Sequence, residues 1–267
     1  MKVFFNGKEF NIPENTTLFD FLNENFPSFD TVILNTVINP EIDSVLKEGD
    51  RIIAFKKGEI PYGVSLKDLM FARQPEEYTL KLSKSVVGIA GLGGLGSLVG
   101  ENLVRAGIGK LVVADYDIVE PANLNRQRYF IPQIGKPKVD AFKENMEKIS
   151  PFTEIVCHRE KITRENVSIF SECEIVAECF DNAESKAEFL SVLREKYPEK
   201  IVVVSSGVAG FDTEKTITVK RISDKIYVVG DGVSEVMEGL GLVATRVGIA
   251  ASIQSHLIVR LLLGLEK

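Results

Sequence analysis

An α/β chain, with a mostly parallel sheet covered by helices on both faces and a small α+β domain before it, is predicted by three observations on the 267-residue sequence. From residue 85 onward, short apolar runs alternate with helix-length stretches, the pattern of parallel strands joined by crossover helices. Before residue 60 the order differs: two short apolar runs around Asn6-Gly7, a helical stretch, then two more strand-like runs. The third observation is GIAGLGGLG at 88–96, a glycine turn between a buried strand and a helix.

Composition narrows the function classes. Hydrophobic residues make up 45% and charged residues 26%, ordinary values for a globular protein. A net charge of −6 argues against nucleic-acid binding, which usually needs a basic face. Cys157, Cys173 and Cys179 fall at no metal-ligand spacing, so neither a zinc site nor a disulfide scaffold is expected, and a reducing cytoplasm fits best. The start, MKVFFNGKEF, shows no signal-peptide pattern. The apolar stretch 242–265 is interrupted by Arg246, Gln254, His256 and Arg260, and is expected to be a buried amphipathic helix rather than a membrane span.

In chain order, KVFFNGKEFNIP reads as a hairpin, because Asn-Gly suits a two-residue turn in which both residues need positive φ. Asn15 or Thr16 is the expected cap of a helix carrying Leu18, Phe21 and Leu22. Strands are expected at VILNTVI (32–38) and RIIAFKK (51–57). Hairpin, helix and two strands is the order of a β-grasp, ubiquitin-like domain over 1–60, or of a generic small α+β domain. A linker region follows at 61–84, where Pro61 and Gly63 break structure. There Ser65-x-x-Asp68 resembles a capping box opening a short helix that Arg73-Gln74 closes. The main domain, 85–267, begins with SVVGIA, the glycine turn and a helix from Leu95 to Ala106. LVVAD (111–115), a helix at 138–148, strand IVC, a polar helix near 164–170, strand EIVAE (174–178), a helix at 183–196 and strand IVVVSS (201–206) continue the alternation. TITVKRI and KIYVV are expected to add antiparallel strands.

Gly91, Gly93 and Gly96 match the spacing of a dinucleotide-binding, Rossmann-like turn, and Gly94 adds a further glycine. The helix start offers free N–H groups to phosphate, and Asp115 stands where a ribose hydroxyl is expected. All of this suits NAD and ATP equally. The next stretch, DYDIVEPANLNRQRYFIPQIGKPK (115–138), favours a triphosphate. It gathers Asn123, Arg126, Gln127 and Lys138, and a triphosphate needs such cations and amides before an anionic nucleophile can approach. Asp117 belongs to the same group, or with Glu120 only shapes the loop. Asp181, a strand later, is placed to hold magnesium, although Asp181-Asn182 also reads as a helix cap. Any one of these residues alone is an ordinary surface group; their conjunction carries the reading.

GLGGLG, D-x-D followed by V-E, NLNRQ, GKPK, FDN and VSSGVAGFDTEKTITV together resemble the ThiF/MoeB/HesA family, prokaryotic relatives of ubiquitin-activating enzymes. The resemblance covers most of 85–267. It implies ATP-dependent adenylation of the C-terminal Gly-Gly carboxylate of a β-grasp carrier, with release of pyrophosphate. It places Asp115 on the ribose, Asn123, Arg126 and Lys138 on the phosphates, and Asp181 on magnesium. It also implies a homodimer in which Arg73 reaches the nucleotide of its own or the partner subunit. Residues 1–60 are similar to the carrier ThiS, but AFKKGEIP replaces the free Gly-Gly end, so this domain is expected to aid dimerisation or to dock rather than to be adenylated. A separate ThiS-like protein for thiamine thiazole synthesis is the expected substrate, with a molybdopterin-synthase carrier as the alternative and the sulfur donor unspecified. The paired CxxC motifs and the loop cysteine that many members carry are missing, so neither zinc nor a covalent carrier link is expected. Two other readings stay open: an NAD-dependent oxidoreductase, for which neither His158 nor His256 lies at an expected strand end, and an autoinhibited regulator.

Overall fold

The computed structural model describes residues 1–60, 64–238 and 240–266. The expected breaks at Pro61 and Gly63 lie outside the described residues. The chain divides into two compact units, Met1–Thr79 and Leu80–Lys267.

The first unit holds a five-stranded sheet. Strands β1 (Lys2–Phe5) and β2 (Lys8–Asn11) form the hairpin, with Asn6 and Gly7 both at positive φ. Helix α1 (Leu18–Asn25) is capped by Thr17, not by Asn15 or Thr16. Asn15 is left-handed and the Thr16 hydroxyl donates back to Pro13, so the Asp20 N–H goes to Thr17 Oγ1 at 3.1 Å. The run at 32–38 is itself a tight hairpin, β3 (Thr31–Leu34) and β4 (Val37–Ile38), turned at Asn35 and Thr36. With β5 (Arg51–Phe55) the order is β2-β1-β5-β3-β4, and β1 lies parallel to β5. Val3, Leu18, Phe21, Leu22, Leu46 and Ile52 fill the core between sheet and helix. Helix α2 (Leu66–Met70) follows Ser65, which makes no capping bond; the Asp68 carboxylate lies against the Gly7 turn instead. The expected capping box is therefore not formed. Helix α3 (Glu76–Leu82), which sequence reading left inside the linker, carries the chain onward.

The second unit is a seven-stranded sheet: β6 (Val86–Ala90), β7 (Lys110–Ala114), β8 (Glu154–His158), β9 (Ile175–Glu178), β10 (Ile201–Ser205), β11 (Thr218–Ser223) and β12 (Ile226–Gly230). Its order is β11-β12-β10-β9-β6-β7-β8. Helices α4 (Gly94–Ala106), α5 (Lys138–Ile149), α6 (Ala183–Lys196) and α7 (Ala244–Leu263) complete it. Only β11 is antiparallel; β12 pairs parallel with β10, because the loop from Ser206 carries the chain past it before the hairpin returns. The helix expected near 164–170 is one 3-10 turn, Val167–Phe170, held in place by burial of Val167 and Phe170. Two apolar clusters, one on each face, sandwich the sheet. Helix α7 is long and apolar enough to cross a membrane by length and composition, but half of it is buried here, against α4, β10 and β12.

Candidate functional site

In a parallel sheet the strand carboxyl ends, where neighbouring loops part, form the binding edge. Here the turn after β6 lies between the loop after β9 and the loop after β7. Gly91 has φ 93°, and its N–H donates to the Ala114 carbonyl at 2.8 Å. A Cβ on Gly96 would sit 1.9 Å from the Gly91 carbonyl oxygen, so glycine is what lets the helix start close against the turn. Gly94 packs near Val247 and the Arg126 stem. Gly93 is different: a Cβ there would meet nothing nearer than Gln127 Nε2, at 4.0 Å. Gly93 is also the N-cap of α4, with no side-chain cap and no acidic residue in the first turn. That combination, open space before an uncapped helix start, favours an anion.

Asp115 is buried and accepts from the Leu92 N–H (2.7 Å) and the Asp117 N–H (2.8 Å). It therefore clamps the glycine turn as well as standing at the ribose position, and each oxygen keeps a second lone pair. Burial pushes its carboxyl above the usual carboxylate range, and the Lys138 charge opposes this. The Lys138 ammonium is itself buried and lies 2.9 Å from Asp117 Oδ2. Asp117 thus holds the expected phosphate cation rather than merely shaping the loop.

The NLNRQ segment is built inward. Asn123 is buried, and its side-chain oxygen accepts the Glu120 N–H at 3.1 Å, closing the 3-10 turn Pro121–Asn123. Arg126 is half-buried; its Nη1 donates to the Ala122 carbonyl and to Asn125 Oδ1, both at 2.9 Å, within its own loop. Gln127 is buried beside Gly93, and its Oε1 has no hydrogen-bond partner among the described residues. A buried amide oxygen left without a donor marks a place where another molecule's N–H or O–H is wanted.

After β9, Asn182 caps α6 by accepting the Ser185 N–H at 2.7 Å. The capping role therefore falls on Asn182 and leaves the exposed Asp181 carboxylate for other work. Asp181 shares an edge with the other acids: the Tyr116 hydroxyl is raised above its ordinary pKa chiefly by Asp117, then by burial, Asp181 and Asp115. Among the described residues no cluster of three or more His, Cys, Asp or Glu side chains is placed to hold a metal. Magnesium, however, is commonly bound by one or two carboxylates together with phosphate oxygens, a donor set Asp181 fits. Arg73 is exposed in the turn between α2 and α3, within the first unit; the grouping described above is made entirely within the second.

Sequence reading missed Glu178 and Lys186. Glu178, the last residue of β9, is fully buried and accepts from Lys186 Nζ at 2.9 and 3.0 Å and from the Phe180 N–H at 2.6 Å. Lys186 also donates to Ser205 Oγ at 3.1 Å. A charged residue ending the apolar run IVAE was the available signal, as Asp115 was for LVVAD. His158, not assigned to a strand from sequence, is the last residue of β8, and its carbonyl accepts the Asp115 N–H at 3.2 Å. Cys179 packs against Gln254 on α7. Burial raises all three thiols, Cys157 to about 11, Cys173 to about 12 and Cys179 further.

A glycine turn and a buried polar cradle at the carboxyl ends of a parallel sheet are features found in nucleotide-binding α/β folds. Residues 66–267 match the model of the ThiF family, and the chain belongs to that family. Residues 1–58 match the ThiS-like ubiquitin model. Among curated proteins, the chain is 33% identical over 141 residues to ubiquitin-like modifier-activating enzyme 5 of Caenorhabditis briggsae, covering 48% of this chain and 32% of that protein. It is 34% identical over 155 residues to tRNA threonylcarbamoyladenosine dehydratase 1 of Saccharomyces cerevisiae, covering 55% of this chain and 35% of that protein. The chain thus spans about a third of the length of the curated relatives it matches. In fold it is similar to the E. coli tRNA N6-threonylcarbamoyladenosine dehydratase TcdA in complex with ATP, with TM-score 0.65, 20% identity, and coverage of 73% of this chain and 92% of that one.

Proposed function

We propose that this chain adenylates the C-terminal Gly-Gly carboxylate of a separate ubiquitin-like carrier, ThiS-like and serving thiazole synthesis, using ATP and releasing pyrophosphate. The observation that carries the reading is the cradle at Gly93: open space before an uncapped helix, beside the unpartnered Gln127 oxygen, with Asp115 and Lys138 on the same edge. In this reading Gly91, Gly93, Gly94 and Gly96 shape the phosphate turn, and Asp115 accepts from the ribose. Asn123, Arg126, Gln127 and Lys138 face the phosphates, Arg126 by exchanging its two local bonds for phosphate oxygens. Asp181 would hold magnesium, whose part is to neutralise phosphate charge. Arg73 would add a cation from its own or the partner subunit of a homodimer.

The carrier carboxylate is already ionised at neutral pH, so no general base is needed. It attacks the α-phosphate and pyrophosphate leaves. Catalysis is then positioning and charge neutralisation. The thiols, buried at Cys173 and Cys179 and half-buried at Cys157, all held above their ordinary range, support adenylation without a thioester or persulfide on the enzyme, since reactivity needs the thiolate. One relative is named for a tRNA dehydratase, but the net charge of −6 weighs against a tRNA substrate. The test is ATP–pyrophosphate exchange with ThiS-like and molybdopterin-type carriers supplied in turn. Exchange with a ThiS-like carrier, lost in Arg126→Ala and in Asp181→Ala, is expected. Near-normal exchange in both variants would overturn the site assignment.

A further inference from the structure

The strand order lays the proposed reaction out in space. In that reading ribose stands at β7, phosphates at β6 and magnesium at β9, so the strand order puts β10 and β12 beyond the phosphates, on the side away from the nucleoside. An acyl group entering opposite the nucleoside must cross the loops after those two strands, residues 206–213 and 231–234.

These loops do not hold themselves by burying their own tips: Phe211 is 77% and Val233 82% exposed. An ion pair between Arg246 and the half-buried Asp231 ties them together. Arg246, in the first turn of α7, is 3% exposed. Its Nε donates to the Ala209 carbonyl (3.0 Å), Nη1 to the carbonyls of Asp212 (2.9 Å) and Thr213 (3.2 Å), and Nη2 to Thr216 Oγ1 (3.0 Å) and Asp231 Oδ2 (2.6 Å). Asp231 Oδ1 in turn accepts the N–H groups of Val233 and Ser234, each at 2.8 Å. The loops also bond directly, Asp231 N–H to the Gly207 carbonyl and Gly232 N–H to the Ser206 carbonyl. A Cβ on Gly207 would lie 1.9 Å from Asp231 Oδ1, so the two loops interlock.

We propose that Arg246, with Asp231, is a positioning residue that locks these loops into one rim and thereby sets the path of the carrier's tail. Burying a guanidinium is costly unless every donor is used, and here the fork is spent on the loops. The proposal rests on the adenylation reading for what crosses the rim, but not for the lock itself.

Two measurements on the full-length chain test it, with Arg246→Lys and Asp231→Asn. Hydrogen exchange should show peptides containing Ala209, Asp231 and Gly232 losing protection in both variants, with the glycine turn at 91–93 unchanged. In carrier-dependent pyrophosphate exchange, KM for a Gly-Gly-terminated ThiS-like protein should rise about tenfold or more while ATP affinity stays within about twofold. Unchanged loop protection overturns the lock. A carrier KM that does not move, or an ATP affinity that falls equally, overturns the positioning role. If Arg246→Lys fails to fold, Asp231→Asn, which keeps the Oδ1 acceptor, decides. If the wild type exchanges with no carrier, the adenylation reading and the tail path fall together, and exchange protection still judges the lock.

Discussion

Replacing Gly96 by alanine adds one methyl group, and the structure says where it goes. The new carbon would stand 1.9 Å from the Gly91 carbonyl oxygen and 2.9 Å from its carbon, where ordinary contact begins at 3.4 Å. Both obstacles are backbone, so relief requires helix α4 and the turn to part by more than an ångström. Overpacking of this kind costs about 1–3 kcal/mol. A misplacement of about 1 Å at a positioned site can cost about 100-fold in rate. Gly93→Ala is the matched control, because its methyl meets only Gln127 Nε2 at 4.0 Å. Thermal unfolding followed by circular dichroism, with calorimetric ATP titration, should therefore separate the two. Gly96→Ala lowers both the melting temperature and the ATP affinity. Gly93→Ala leaves the melting temperature near wild type and weakens ATP, because the methyl would enter the open space proposed to take phosphate. If Gly93→Ala binds ATP normally, the cradle is not at Gly93. If Gly96→Ala melts with the wild type, the close approach does not constrain the fold.

Lys138→Ala should cut pyrophosphate exchange on the order of 100-fold, the scale of losing one oriented electrostatic group; recovery in Lys138→Met would show that the charge is not used. Lys186→Met strands the fully buried Glu178 carboxylate, and urea unfolding at pH 7 should show a loss of about 3–5 kcal/mol. Burial raises the Glu178 carboxyl, so the folded variant holds a proton more tightly than the unfolded chain. The loss should therefore be small below about pH 4.3 and grow as pH rises; a loss independent of pH would contradict this. Iodoacetamide labelling of Cys157, whose thiol burial raises to about 11, should be slow at pH 8 and climb about tenfold per pH unit toward that value, read by mass spectrometry. Fast labelling at pH 7 would reopen a covalent role for it.

Local pattern sufficed for what is local. Asn6-Gly7 dictated a hairpin, because few residue pairs accept two positive φ values. Alternating apolar runs with helix-length spacers dictated a parallel sheet, and the fold brings the glycine turn, NLNRQ and GKPK to its strand carboxyl ends. The errors were of two kinds. Caps are hard to read locally: Thr17 caps α1 because Asn15 is left-handed and Thr16 bonds back to Pro13, and Ser65 is the N-cap of α2 but makes no side-chain bond. Partners distant in sequence were invisible: Arg246 read as a polar interruption of an apolar segment, and Glu178 as part of a strand. What each side chain could do was written in its type. Whom it does it with, Asp117 holding Lys138, Asp231 holding Arg246, Lys186 meeting Glu178, was settled only when the sheet brought its strand ends to one edge. Burial and Coulomb interaction act through space, and sequence separation carries no measure of that distance.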